Sequence, residues 1–160
     1  MEEETYASDQ AFGIICMTIT LLAGAAVSQA TSGFAPIEIR LVAQEPGRGR
    51  ALPVAGSGGT IEVERETLLG PADFAGVGEV EWTEGKPGFN VALTPAGAQK
   101  YEQVSTGNVG RTLAIIVDGR IHMTPKILDP VRAQGFLLTM NTEAEARQLA
   151  ATVRQAVAAD

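Results

Sequence analysis

Residues 112–119 of this 160-residue chain read Thr-Leu-Ala-Ile-Ile-Val-Asp-Gly, and this stretch constrains the fold more tightly than any other. A near-continuous apolar run of this length is the pattern of a central strand, covered on both faces. Asp118-Gly119 follows at once. Both residues tolerate positive φ, so the pair predicts a hairpin turn. Arg120 to Met123 is then the return strand, and Pro125 stops it because proline has no N–H to offer a ladder.

Other segments carry strand signals of varying strength. Phe34 to Ala43 alternates, with Ile37, Ile39 and Leu41 on one face and Glu38 and Arg40 on the other. Residues 45–59 (EPGRGRALPVAGSGG) are rich in glycine and proline and read as a flexible loop. The cluster of Gly56, Gly58 and Gly59 lacks the following Lys-Ser/Thr of a phosphate loop. Thr60 to Glu64 alternates again through Ile61 and Val63, and Pro71 to Gly76 suits one short helical turn. Val80 to Thr83 and Phe89 to Leu93 are strand candidates joined by Glu84-Gly85-Lys86-Pro87-Gly88, and Phe136 to Met140 is another. Trp82 reads as a core or edge packing residue, with a ligand platform as the sharper alternative. Glu79, Glu81 and Glu84 around it could hold a cationic group, but a solvated strand face explains them more simply.

Two helices are marked by their caps. Thr94-Pro95 opens one, since threonine can accept from an orphan N–H and proline is pre-set for the first helical position. Its inner face is read as Ala98, Tyr101 and Val104, and Thr106-Gly107-Asn108-Val109-Gly110 ends it. Thr142 and Glu145 have capping-box spacing for the second. Ala146, Leu149, Ala150, Val153 and Val157 form its apolar stripe, with Arg147 and Arg154 facing away. No internal repeat occurs. The order predicts an α+β fold: a mainly antiparallel sheet with two main helices packed on one face.

Residues 11–30 (AFGIICMTITLLAGAAVSQA) carry no charge and predict an N-terminal hydrophobic helix ahead of a domain over residues 31–160. As a cleaved signal peptide it would place Ser28 and Ala30 at the small-residue positions of a cleavage site before Thr31. As an uncleaved segment it would be a membrane anchor. The third reading is a buried core helix of a cytosolic domain. The preceding Glu2, Glu3, Glu4 and Asp9 run against the basic start of an export signal. Cys16 lacks lipoprotein context, because Ile15 precedes it and the apolar run continues beyond it.

The chemistry-bearing residues are few. With 45% hydrophobic and 19% charged residues the chain can bury a core. A formal net charge of -7 argues against nucleic acid and against anionic lipid surfaces. One cysteine and one histidine exclude an internal disulfide and a Cys/His metal site by count. No clustered Asp/Glu run with loop-like spacing offers a carboxylate metal site. His122 lies in a predicted strand and reads as structural or surface, and Asp118 beside Gly119 as a turn residue. No G-x-S-x-G elbow occurs. The expectation is no catalytic, cofactor-binding or metal-binding residue.

The order and spacing over residues 36–155 resemble the head part of the first periplasmic domain of the SecD/SecDF protein-export subunit. The resemblance rests on a helix ending in a Thr/Asn/Gly turn (Thr106, Asn108, Gly110) and an apolar strand running into an Asp-Gly hairpin (Asp118, Gly119). It continues with the closing Pro125 and Ile127, and with a Thr-Glu-x-Glu-Ala helix opening containing Thr142 and Glu145. These motif residues look structural in their own right. The resemblance implies a bacterial envelope domain, periplasmic or anchored in the inner membrane facing the periplasm, that touches polypeptide without bond chemistry. The base subdomain and membrane helices that accompany the head in that family have no counterpart here, so binding or scaffolding carries over and motor function does not. The competing readings are a polypeptide- or partner-binding module acting through a strand edge or groove, a structural accessory subunit of a membrane complex anchored by residues 11–30, and a small carboxylate enzyme using Asp118 or Glu81.

Overall fold

A computed structural model describes residues 35–158. The hydrophobic segment at 11–30, with its expected helix, lies outside the described residues. Among those described, no helix is long and apolar enough to cross a membrane. The elements are β1 (Ile37–Leu41), β2 (Arg50–Pro53), β3 (Thr60–Val63), a 3-10 turn (Pro71–Asp73), β4 (Phe74–Val77), β5 (Glu81–Thr83), β6 (Lys86–Leu93), α1 (Pro95–Gly107), β7 (Leu113–Val117), β8 (Arg120–Met123), β9 (Gly135–Thr139) and α2 (Glu143–Ala158).

The fold is α+β with antiparallel strand pairing, but the single sheet expected from the sequence is three. One has the order β1-β7-β8, and β2 pairs with β3 in a second. In the third, β6 is central, with β4 and β5 along one edge and β9 along the other. β7 explains the division. Its residues Leu113, Ile115 and Val117 enter the main core, together with Ile37 and Ile39 of β1, Phe89 and Val91 of β6, and Leu149 and Val153 of α2. Its alternate residues Ala114 and Ile116 enter a smaller core with Leu52, Val63 and Ile121. An apolar strand leaves two faces to cover, and the β2–β3 hairpin covers the second. Each large aliphatic side chain so buried contributes roughly 1.5–3 kcal/mol.

That second cover changes the meaning of the alternation in β1. Glu38 is only 1% exposed, although it lies on the face opposite Ile37 and Ile39. Arg40 donates to Glu38 Oε2 at 2.9 Å and to the carbonyl of Glu64 at 3.3 Å, and Thr67 donates to the same Glu38 oxygen at 3.2 Å. A buried carboxylate is tolerated only when paired in this way.

Three segments depart from the sequence reading. Arg50–Pro53, read as loop, forms β2 because Leu52 docks in the smaller core while the backbone pairs with Thr60–Val63. Phe74–Val77, read with the helical turn before it, is a strand against the end of β6. Lys86–Gly88, read as linker, begins β6. The hairpin turn there is only Glu84-Gly85, with φ of 53° and 79°. Pro87 is allowed because its carbonyl accepts from Met140 on the β9 side. A strand residue's N–H and C=O point the same way, so the missing N–H removes no bond to β5. Asp118-Gly119 forms the expected turn, with φ of 48° and 73°.

Both helix caps form as the sequence implies. Thr94 Oγ1 accepts from Gly97 N–H at 3.0 Å, with Pro95 opening α1. Thr142 and Glu145 exchange side-chain-to-backbone bonds of 3.3 and 3.2 Å at the start of α2. Ala146, Leu149, Ala150 and Val153 are buried as the stripe predicts. In α1 the buried residues are Gly97, Tyr101 and Ser105. The expected Ala98 and Val104 are half-buried. Ser105 tolerates burial because its hydroxyl donates to Glu102 O and accepts from Val131 N–H.

Gly97 fixes how closely α1 approaches the 3-10 turn. A Cβ there would lie 2.1 Å from the carbonyl oxygen of Asp73, which already accepts from Thr94 N–H at 2.9 Å. Alanine inside a helix normally gains up to about 1 kcal/mol over glycine. Here Gly97→Ala is expected to lose about 1–3 kcal/mol by overpacking against backbone. Urea denaturation of the variant beside the parent chain reads the sign directly.

Candidate functional site

A cleft of about 430 Å³ opens where three elements converge. The β7–β8 turn contributes Asp118, Arg120 and His122, the end of β9 contributes Thr139 and Asn141, and the first turns of α2 contribute Glu145. Each is placed by local chemistry. The left-handed pair Asp118-Gly119 folds the turn, and the capping box fixes the start of α2. Ala55 N–H donates to Ile121 O at 2.8 Å and draws the 55–56 segment alongside β8. The lining mixes two acids with Arg120 and a histidine.

His122 is half-buried. Burial pushes its pKa below the usual histidine range, Arg120 pushes the same way, and Glu145 partly offsets both. Among the described residues His122 makes no side-chain hydrogen bond, so nothing pairs it with a hydroxyl as base and nucleophile would be paired. Among the same residues no three His, Cys, Asp or Glu side chains gather as metal ligands would.

The motif residues named from the sequence divide between two places. Asp118 and Glu145 line the cleft, with Gly119 and Thr142 next to it. Thr106 lies instead in the last turn of α1, and Asn108, Gly110 and Pro125 lie beyond it. Asn108 Nδ2 donates to Val104 O at 2.8 Å, satisfying a carbonyl the helix end leaves free, and Thr106 Oγ1 turns back onto Glu102 O at 2.7 Å. Gly110, with φ of 86°, donates to Ile127 O at 2.8 Å, and Pro125 O accepts from Leu113 N–H at 2.9 Å. A second, apolar cavity of about 480 Å³ lies there, bounded by Tyr101, Pro125, Ile127 and Val131. Leu128 on its rim is 72% exposed.

Trp82 is 65% exposed, so of the two packing positions read from the sequence, core or edge, it does not occupy the core. It stands in the three-residue edge strand β5, opposite Pro87. Of the acids near it, Glu79 is 3.6 Å from Arg154.

Sequence reasoning noted Asp118, His122 and Glu145 separately but not their convergence, because residues 118 and 145 meet only through tertiary packing. The outer edge of β9 was also missed. Leu93 N–H donates to Gln134 O and Met140 N–H to Pro87 O, which sets the ladder phase. Phe136 and Leu138 therefore bond to β6, and the N–H and C=O groups of Gly135, Leu137 and Thr139 point outward.

This fold and cleft define a small α+β module in which antiparallel sheets pack with two helices in a main core and with a hairpin in a smaller one. Residues 49–158 match the SecDF, P1 head subdomain family, and the chain belongs to that family. It is 34% identical over 88 residues to the protein translocase subunit SecDF of Thermus thermophilus, covering 54% of this chain and 12% of that protein. It is 39% identical over 72 residues to the subunit SecD of Thermobaculum terrenum, covering 45% and 14%. With SecD of Dictyoglomus turgidum it shares 31% over 111 residues, covering 66% and 27%. The chain thus spans a small part of these relatives' length. A solved structure of SecDF, described as a membrane component that enhances protein export, superposes with a TM-score of 0.59 at 24% identity, covering 74% of this chain and 61% of that one. SecDF in its super-membrane-facing form gives the same score over 18% of its length. These likenesses establish the shared fold.

The environment of His122 has a pH consequence. Its folded-state pKa lies below the unfolded value of about 6.5, so the unfolded chain binds the proton more readily. The neutral side chain favours the fold above pH 6.5, and that contribution is lost as pH falls through the folded pKa. As the chain's one histidine, it is expected to titrate below 6.5 by NMR. His122→Gln should remove the matching part of the stability loss on acidification.

Proposed function

We propose that this chain is a head-type domain serving protein export, acting by contact with polypeptide on the outer side of the bacterial inner membrane and not by bond chemistry. The observation that carries the reading is the family match over residues 49–158. The cleft supports it, because its groups are suited to hydrogen bonding. The motif residues serve the fold in this reading: Asn108 and Thr142 as caps, Gly110, Asp118 and Gly119 as turns, Pro125 as a strand stop, and Glu145 as the second half of a capping box. Residues 1–30 deliver the domain to the envelope, as a cleaved signal or as an anchor.

The test is retention of unfolded polypeptide. The full chain, immobilised, is expected to hold reduced and carboxymethylated lactalbumin and to release it to a competing unfolded chain. Retention no greater than on a blank matrix would overturn the reading. Intact mass from the envelope fraction of a Gram-negative host then separates the two forms. Loss of residues 1–30 defines a free periplasmic domain, and their retention in the membrane pellet defines an anchored one.

A further inference from the structure

We infer that the outer edge of β9 receives an extended polypeptide segment as an added antiparallel or parallel strand, with the added chain running into the Asp118–Glu145 cleft. This rests on the polypeptide-contact reading and supplies its recognition chemistry. The argument starts from how the described sheets treat their edges. β1 is closed on its outer side by Leu68 and Leu69, which exchange backbone bonds with Ile39, and β8 is met by Ala55. On the side of β2 away from β3 the outward residues are Ala51 and Pro53, the proline offering no donor, and the β4–β5 edge has a register shift between Phe74 and Gly76, with Glu81 and Glu84 at its end. Charges, prolines and irregular register are the usual protections against strand addition.

β9, Gly-Phe-Leu-Leu-Thr, has none of these. Its pairing with β6 is regular over five residues, and among the described residues no backbone bond reaches the outward groups of Gly135, Leu137 or Thr139. Three residues at alternate positions, each with one donor and one acceptor, complement the backbone of any extended peptide. Recognition through main-chain groups is indifferent to side-chain sequence, which suits a partner arriving as a varied unfolded chain. Thr139 belongs both to this edge and to the lining of the cleft, so the edge ends inside the cavity.

Leu137 provides a clean test. Its N–H points away from β6, so Leu137→Pro removes an outward donor without cutting the existing ladder. Leu137→Ala changes the side chain and keeps the donor. Using the full chain and reduced, carboxymethylated lactalbumin, Leu137→Pro is expected to bind about tenfold more weakly. Leu137→Ala should stay within about twofold of the parent, as recognition by the main chain requires. Amide exchange on the unsubstituted chain gives an answer independent of any folding defect. Leu137 and Thr139 amides should slow on binding, while Phe136 and Leu138 are protected already. Binding with protection confined to other segments, such as residues 125–132, would overturn the inference and leave the proposed function standing. No binding by the unsubstituted chain would remove both. Sedimentation showing probe-free dimers that Leu137→Pro abolishes would also overturn it, assigning the edge to self-pairing.

Discussion

The two-sided burial of β7 is the constraint on which the other packing depends. One face of Leu113–Val117 closes the main core and the other closes the smaller core under the β2–β3 hairpin. Strand β1 sits beside β7 along its whole length, from Ile37 opposite Val117 to Leu41 opposite Leu113. Because β7 has no solvent face, β1 loses its solvent face as well, and Glu38 must be neutralised where it stands. Arg40 supplies the opposite charge and Thr67 a further hydrogen bond, and the two bind the 64–67 segment to β1 in doing so. Arg111 pairs with Glu64 and donates to Val42 O at 3.4 Å, a second polar link to the same region. Buried polar contacts of this kind contribute little net stability but constrain which arrangement is adopted.

The position of α1 depends on backbone contact instead. Asp73 ties the 3-10 turn to α1: its carbonyl accepts from Thr94, its carboxylate accepts from Gly70 N–H at 2.9 Å, and the same carboxylate pairs with Lys100 of α1 at 2.9 Å. Gly97 permits the approach. α2 lies on the same side of the β6 sheet, contributing Ala146, Leu149, Ala150 and Val153 to the main core. The opposite side of that sheet shows exposed Asn90 and Ala92 to solvent. With both helices on one side, the β9 edge and the cleft beside it lie at the margin of the core formed by the described residues.

Much of this fold was legible residue by residue. The hairpin at Asp118-Gly119 and the caps at Thr94 and Thr142 came directly from residue chemistry, as did the stripe of α2. The resemblance carried by Thr106 through Glu145 led to the family that residues 49–158 match. What was misread shares one character. Lys86-Pro87-Gly88 looked like a linker because glycine and proline are poor strand formers, yet two neighbouring strands impose the extended form. Arg50–Pro53 looked like loop for the same reason. In each case a neighbour distant in sequence decided the outcome.

By itself the sequence determined which segments turn, which helices are capped and which strand must lie at the centre. These properties arise within a few residues, from allowed φ, hydrogen bonds at a helix start and hydrophobic period. Only the tertiary structure decided that strands divide among three sheets, that Glu38 is buried, that His122 and Glu145 face one cleft, and that among the described residues no strand pairs with the outer edge of β9. Those outcomes depend on which surfaces remain to be covered once β7 has been enclosed, and coverage depends on the packing of the whole domain.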